Sequence, residues 1–164
     1  YEDARPKGDD LAAWRETLRG GDAERGRDIF LNKAAVSCLR CHQLDGVGGE
    51  VGPPINGVAA KQNRDYLLEA VVLPSKQIAK GFESVQLTLS NGKTLVGIVK
   101  SEDDRQVRLM TPEGQLATIT KDDIEERKAT KSAMPEDLAQ KLTRREMRDL
   151  LEFLAGLKEE WKKP

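Results

Sequence analysis

The chain has 164 residues, 38% hydrophobic and 34% charged, with a formal net charge of -1, the size of one ordinary domain or of one small domain with a sizeable insertion. Balanced, interspersed charge gives no global attraction to nucleic acid, and no stretch nears the roughly 18 consecutive apolar residues that span a bilayer. Aromatic residues make up only 4%, lean for a core of this size, which leaves room for a large flat group.

Residues 1 to 8 are polar, lack the apolar segment of a signal peptide and read as loose surface chain, so the sequence is expected to be mature or excised. Leu11, Trp14 and Leu18 have helical spacing and predict a short amphipathic helix that stops at Gly20 and Gly21. Asp22 caps a second expected helix with Ala23, Ile29, Phe30 and Ala34 as its apolar positions. Within it Gly26 would let another backbone approach closely.

Asp45 to Gly57 holds five glycines and two prolines, so it is a loop wrapped around something. Asn63 caps a helix that must end near Leu73, because Pro74 disfavours helical geometry before it, and Ser75 to Lys80 adds at most one more turn. From Glu83 the period changes. Val85, Leu87 and Leu89 alternate with polar residues, Asn91-Gly92 is a hairpin signal, and Leu95, Gly97 and Val99 resume the alternation. Val107 and Leu109, then Leu116, Thr118 and Thr120, add two strands around the turn Thr111 to Gly114, so residues 84 to 120 read as an antiparallel meander of four strands with a weak likeness to a small Sm-like or SH3-like barrel. Lys121 to Lys131 reads as a charged connection. After the turn Ser132 to Pro135, Thr143 and Glu146 form a capping box for a last helix with Met147, Leu150, Leu151, Leu154 and Leu157 along its apolar stripe, running to about Glu159.

The two cysteines of the chain, Cys38 and Cys41, are followed directly by its one histidine, His42. The string C-L-R-C-H is a haem-attachment signature. Two thiols one helical turn apart each add across one vinyl group of a single haem, and the next residue then holds an imidazole over the iron as an axial ligand. A structural zinc site would need four ligands, and no second pair exists. A thioredoxin-like pair would open a helix after a central strand, whereas this motif follows a helix and precedes a glycine-rich loop.

A ligating histidine needs its other ring nitrogen anchored. The loop V-G-P-P-I-N-G offers the Pro53 carbonyl for that purpose, and Pro53 and Ile55 are counted with the cofactor-binding residues. With no second histidine, the sixth iron ligand is left to methionine, lysine, water or nothing. Of the three methionines, Met110 sits in an expected strand and Met147 on a core stripe. Met134 lies in a loop beside Pro135, where a rigid turn presents a thioether, and is the preferred ligand.

The order G-R-D-I-F, C-L-R-C-H, G-P-P-I-N-G, S-A-M-P and L-L-E-F-L resembles a class I cytochrome c. The resemblance implies that the first and last helices cross, with Gly26 and Phe30 against Phe153 and Leu154, and it supports Pro53 and Met134 in the roles given above. A meander before the methionine loop is foreign to that family, so the expected fold is mainly α, a class I cytochrome c with an inserted antiparallel β meander. The string from Gly20 through Y-L-L-E-A-V-V-L-P-S, N-G-K-T-L-V-G and S-A-M-P-E-D-L resembles the planctomycete and verrucomicrobial haem-binding domain, over about residues 10 to 158. The expected division is an N-terminal extension with a short helix (1–21), the first part of the cytochrome core with the haem attachment (22–82), the β insertion (83–127), and the rest of the core with the methionine loop and last helix (128–164).

The function expected from this reading is electron transfer by one covalent haem c, ligated by His42 and Met134 and cycling between ferric and ferrous iron, with no catalysis of its own. The alternative is a haem-based sensor of small ligands, or a peroxidase-like site, with a labile sixth ligand. The resemblance implies that such a module ends a longer chain, so its partner is a redox protein or a fused dehydrogenase domain, with no nucleic acid and no transmembrane segment. Attachment of haem to this motif implies a periplasmic or other extracytoplasmic location.

Overall fold

The computed structural model describes residues 9–164; the loose segment expected for residues 1 to 8 lies outside the described residues. Five α-helices, α1 (Ala23–Asn32), α2 (Cys38–Cys41), α3 (Val58–Lys61), α4 (Arg64–Val72) and α5 (Arg144–Gly156), surround one core. A two-stranded hairpin, β1 (Gln43–Leu44) and β2 (Val47–Gly48), precedes a sheet made of β3 (Ser84–Leu89), β4 (Thr94–Glu102), β5 (Gln106–Met110), β6 (Leu116–Thr120) and β7 (Ile124–Ala129).

The caps fall where the sequence puts them. The Asp22 carboxylate accepts from Arg25 N at 3.0 Å, Asn63 Oδ1 from Tyr66 N at 2.9 Å, and Thr143 and Glu146 exchange bonds as a full capping box. Each supplies an acceptor to a helix N-terminus whose first amides have no partner within the helix. The segment Leu11 to Leu18 forms turns around one 3-10 turn, Arg15–Thr17, instead of an amphipathic α-helix. So short a stretch gains few i→i−4 bonds against the cost of nucleation, and Gly20 with φ +80 ends it.

α1 crosses α5 at very close range. A Cβ on Gly26 would overlap the Asp149 carbonyl and lie 2.7 Å from Phe153 Cβ, and one on Gly21 would overlap Arg148. The expected partners therefore meet: Phe30 and Phe153 pack with ring centroids 5.9 Å apart and planes tilted by 52°, a geometry that contributes about 0.5–1.5 kcal/mol beyond area burial. Asp149, with its side chain only 5% exposed, accepts from Asp22 N at 2.7 Å and from Arg25 Nε at 2.9 Å. Arg64 grips Glu152 with two bonds of 2.9 and 2.8 Å and so ties α4 to α5.

The expectation of a mainly α fold is overturned. Among the described residues helix, 3-10 turns included, accounts for 32% and strand for 22%, and the sheet is five-stranded and antiparallel in the order β6-β5-β4-β3-β7. The four expected strands are present, and β7 occupies the stretch expected to be a mere connection, pairing with β3 from Val85–Ala129 to Leu89–Ile124. Hydrophobic alternation could not reveal β7, because its residues are nearly all exposed and it is held by main-chain bonds along an edge. Helices also end sooner than periodicity suggested; α5 stops at Gly156.

The sheet has a core of its own, Leu87, Val107, Leu109 and Ile119. Its other face carries Ile98 and Met110, which are paired across β4 and β5 and pack on Val51 of the glycine-rich loop. Thr130 N–H donates to Ser84 O at 3.0 Å, next to the first β3–β7 pair.

Candidate functional site

The motif Cys38 to His42 is a single helical turn followed by extended chain. Ser37, with φ 47, sends the backbone into α2; His42 N–H donates to Cys38 O at 2.9 Å, and His42 itself is extended. Asp45 and Gly46, both with positive φ, then turn the short β1–β2 hairpin.

From there the glycine-rich segment runs back along the motif. Gly49 N–H donates to Leu39 O at 3.0 Å, Gly52 N–H to Cys41 O at 2.7 Å, and Ile55 N–H to Gln43 O at 2.9 Å. The glycines have a steric reason to be there. A Cβ on Gly48 would strike the His42 carbonyl, one on Gly49 the Arg40 carbonyl, and one on Gly52 the His42 ring itself.

His42 Nδ1 lies 2.7 Å from the Pro53 carbonyl oxygen. A carbonyl can only accept, so Nδ1 carries the proton and Nε2 is left with its lone pair. Burial holds the imidazole below its ordinary pKa, partly opposed by the bond to Pro53, so the ring stays neutral and its free nitrogen is a donor to a metal. Burial also pushes the Cys38 thiol up to about 11. Reactive redox thiols have lowered values, the opposite direction.

Beside the motif is a cavity of about 570 Å³, within the range of about 300–1,000 Å³ usual for ligand sites. Cys38, Cys41, His42, Pro53, Ile55 and Met134 all line it. The six residues singled out from the sequence are thus brought to one place. Met134 is held there by a short relay: its N–H donates to Ser132 Oγ at 3.1 Å, and Ser132 N–H donates to Ser75 Oγ at 3.2 Å. Met110 and Met147 are buried and do not line the cavity. Among the described residues no group of three or more His, Cys, Asp or Glu side chains converges on a common point.

Sequence reasoning missed other wall residues. Val51, Tyr66, Phe82 and Trp161 also line the cavity. A Cβ on Gly46 would strike the Trp161 ring and one on Gly57 the Glu160 side chain, which pairs with Lys61 at 2.8 Å, so the C-terminal segment lies across the loops of the site. Nothing in its local pattern announces this, since residues 160 to 164 lie beyond the expected helix and have no period of their own. Ser75 was equally hidden, as its only signal is proximity that folding creates.

The cavity fits a haem on the chemistry of its donors: two thiols a turn apart, a neutral imidazole with a free nitrogen, a thioether, and walls that are mostly apolar side chains. Residues 23–103, a little under half of the chain, match the family model described as Cytochrome c, and no curated protein matches the chain significantly. The match supports a cytochrome c-type haem-binding domain, and with it covalently bound haem c and its iron.

Proposed function

We propose that the chain is an electron-transfer module in which Cys38 and Cys41 attach the haem as thioethers and His42 and Met134 are its axial ligands. Bound there, the iron exchanges one electron between its ferric and ferrous states. The observation that carries the proposal is the 2.7 Å contact of His42 Nδ1 with Pro53 O, in a cavity shared with both thiols and with Met134.

The residues divide the work. Pro53 fixes the tautomer and plane of His42, and Gly52 leaves room for the ring beneath it. The Ser75–Ser132 relay holds the Met134 main chain beside the cavity, and Ile55 with its apolar neighbours lines the wall. Two protein ligands leave no open coordination position, which separates an electron carrier from the sensor or peroxidase-like alternative. A thioether ligand from Met134 would favour a relatively high potential.

The finer identity proposed is the planctomycete-type haem domain with the sheet as an insertion between the two parts of the core, behind the extension 1–21; the bounds expected from sequence, 22–82, 83–127 and 128–164, are kept except that β7 carries the insertion on to Ala129. In support, the cavity is lined by residues from Phe30 to Phe82 and from Ser132 to Trp161, with none from the sheet between them. The proposed setting is periplasmic or otherwise extracytoplasmic, with a redox protein or a fused dehydrogenase domain as electron partner. Among the described residues no helix is long and apolar enough to cross a membrane.

The test is Met134→Ala, made in a host that matures c-type cytochromes. Wild-type protein is expected to carry one haem by mass, show the low-spin spectrum and sulfur-to-iron band of methionine ligation, and resist carbon monoxide. The variant is expected to keep its haem, lose that band and bind carbon monoxide rapidly. Rapid binding by the wild type would instead establish an open site, and a wild-type mass equal to the bare polypeptide would overturn the proposal.

A further inference from the structure

The sheet contributes no residue to the cavity wall, yet it lies directly behind it. Ile98 and Met110 bury Val51, and Cys41, Phe82 and Ala133 pack against the same cluster; Cys41, Val51, Phe82 and Ala133 all line the cavity. Two residues after Ile98, the register of β4 against β5 slips between Val99 and Ser101. A bulge of this kind re-aims the side chain at the break, and the residue there is Lys100.

Lys100 Nζ donates to the Glu50 carbonyl at 2.5 Å and sits 4.8 Å from the centroid of the Phe82 ring. Glu50 immediately precedes Val51, Gly52 and Pro53, the run that covers the His42 ring and anchors its Nδ1. Among the described residues the Lys100 ammonium forms no ion pair, and the Glu50 carboxylate is instead 3.4 Å from Gln43 Nε2. The sheet thus holds a cation with no carboxylate partner against one wall residue and against the main chain of the loop that orients the histidine.

We propose that Lys100 is a positioning residue for the redox site, delivered by the sheet: it pins the Glu50–Pro53 loop and places a positive charge behind the wall, which favours the reduced state. This rests on the reading of the cavity as the haem site. The physics is elementary. Reduction lowers the positive charge of the iron by one, so a nearby fixed cation destabilises the ferric form more than the ferrous and raises the potential. Lysine suits the position because its long stem lies along apolar surface while its head reaches a carbonyl and an aromatic face.

The experiment is potentiometric titration of the holoprotein as wild type, Lys100→Met and Lys100→Arg, at low and high ionic strength. Lys100→Met keeps the stem and removes the charge. At the wild-type midpoint it is expected to show a ferrous-to-ferric ratio roughly three- to tenfold lower, a tenfold change being about 59 mV for one electron. The difference should shrink as salt is added, because the ammonium is exposed. Lys100→Arg should restore most of the wild-type value. An unchanged midpoint in Lys100→Met, or a drop that Lys100→Arg shares in full, would overturn the inference while leaving the haem site intact. Absence of haem from the wild type would instead sink the reading beneath it.

Discussion

At the scale of single residues, the site depends as much on what is missing as on what is present. Gly52 has no side chain where the His42 ring lies, and a Cβ built there would be 2.7 Å from Nδ1 and 2.9 Å from Nε2. Alanine is usually the more favourable residue on entropic grounds, by roughly 0.5–1 kcal/mol, but here the clash is with a ring held by its own hydrogen bond. Gly52→Ala is therefore expected to push the ring off Pro53, lower the yield of holoprotein and broaden the ligand-field spectrum of what remains, as read by absorption and electron paramagnetic resonance. A variant with wild-type yield and spectrum would show that the ring does not need the space. Cys38, Cys41 and His42 stood out in the sequence by chemical type and spacing, Pro53 and Met134 by their place in loops, and the structure brings all five to the wall of one cavity. Phe82, Ser75 and Trp161 did not stand out, since an apolar or hydroxyl side chain carries no sign of which wall it will join.

Elements were legible in proportion to how much of their stability is local. α1, α4 and α5 announce their starts through Asp22, Asn63 and the Thr143–Glu146 box, all of which act within one turn. β7 announces nothing, because its Ile-Glu-Glu-Arg-Lys-Ala sequence is set by pairing with β3 and not by burial. The α1–α5 crossing lies between these cases: Gly26 hinted at a close approach, but the buried clamp beside it came only from the structure. Burial pushes the Asp149 carboxyl up, yet the Arg25 guanidinium and the Asp22 N–H outweigh that and hold it below the ordinary carboxylate range. A depressed carboxylate gives stability that is present above the unfolded pKa, roughly 3.9, and lost as pH falls through the lower folded value. Asp149→Ala is expected to cost about 1–3 kcal/mol in urea unfolding near neutral pH, since it leaves the Asp22 amide unpaired while the half-exposed Arg25 can return to water. The gap between variant and wild type should narrow below about pH 4; a gap that stays constant there would remove Asp149 from the account.

For the whole molecule, the two packed regions are joined through a small apolar seam. Ile98 is 1% exposed and Val51 3%, and their contact is where the sheet touches the loop over the haem cavity. Ile98→Ala should cost about 2–5 kcal/mol of stability, as removal of a buried aliphatic side chain does. Because the cavity wall itself contains no sheet residue, haem attachment should persist while the thermal midpoint falls, measured by circular dichroism on the holoprotein; loss of haem would mean that the sheet builds the pocket outright. The share of strand in the fold was underestimated because local pattern detects hairpins one at a time, whereas an edge strand that returns to the first strand of the set is a long-range event.

The bond from Thr130 to Ser84 puts the entrance and exit of the sheet side by side. The polypeptide leaves the helical half, makes its excursion and comes back to nearly the same spot, so the distance from Pro74 to Met134 in space is indifferent to how long the detour is. The tip of that detour at Asn91-Gly92, where a Cβ on Gly92 would meet nothing within 4 Å, is consequently a natural place to splice in a peptide tag or an electrode-binding sequence, wiring the iron to a chosen surface without disturbing the grip on it.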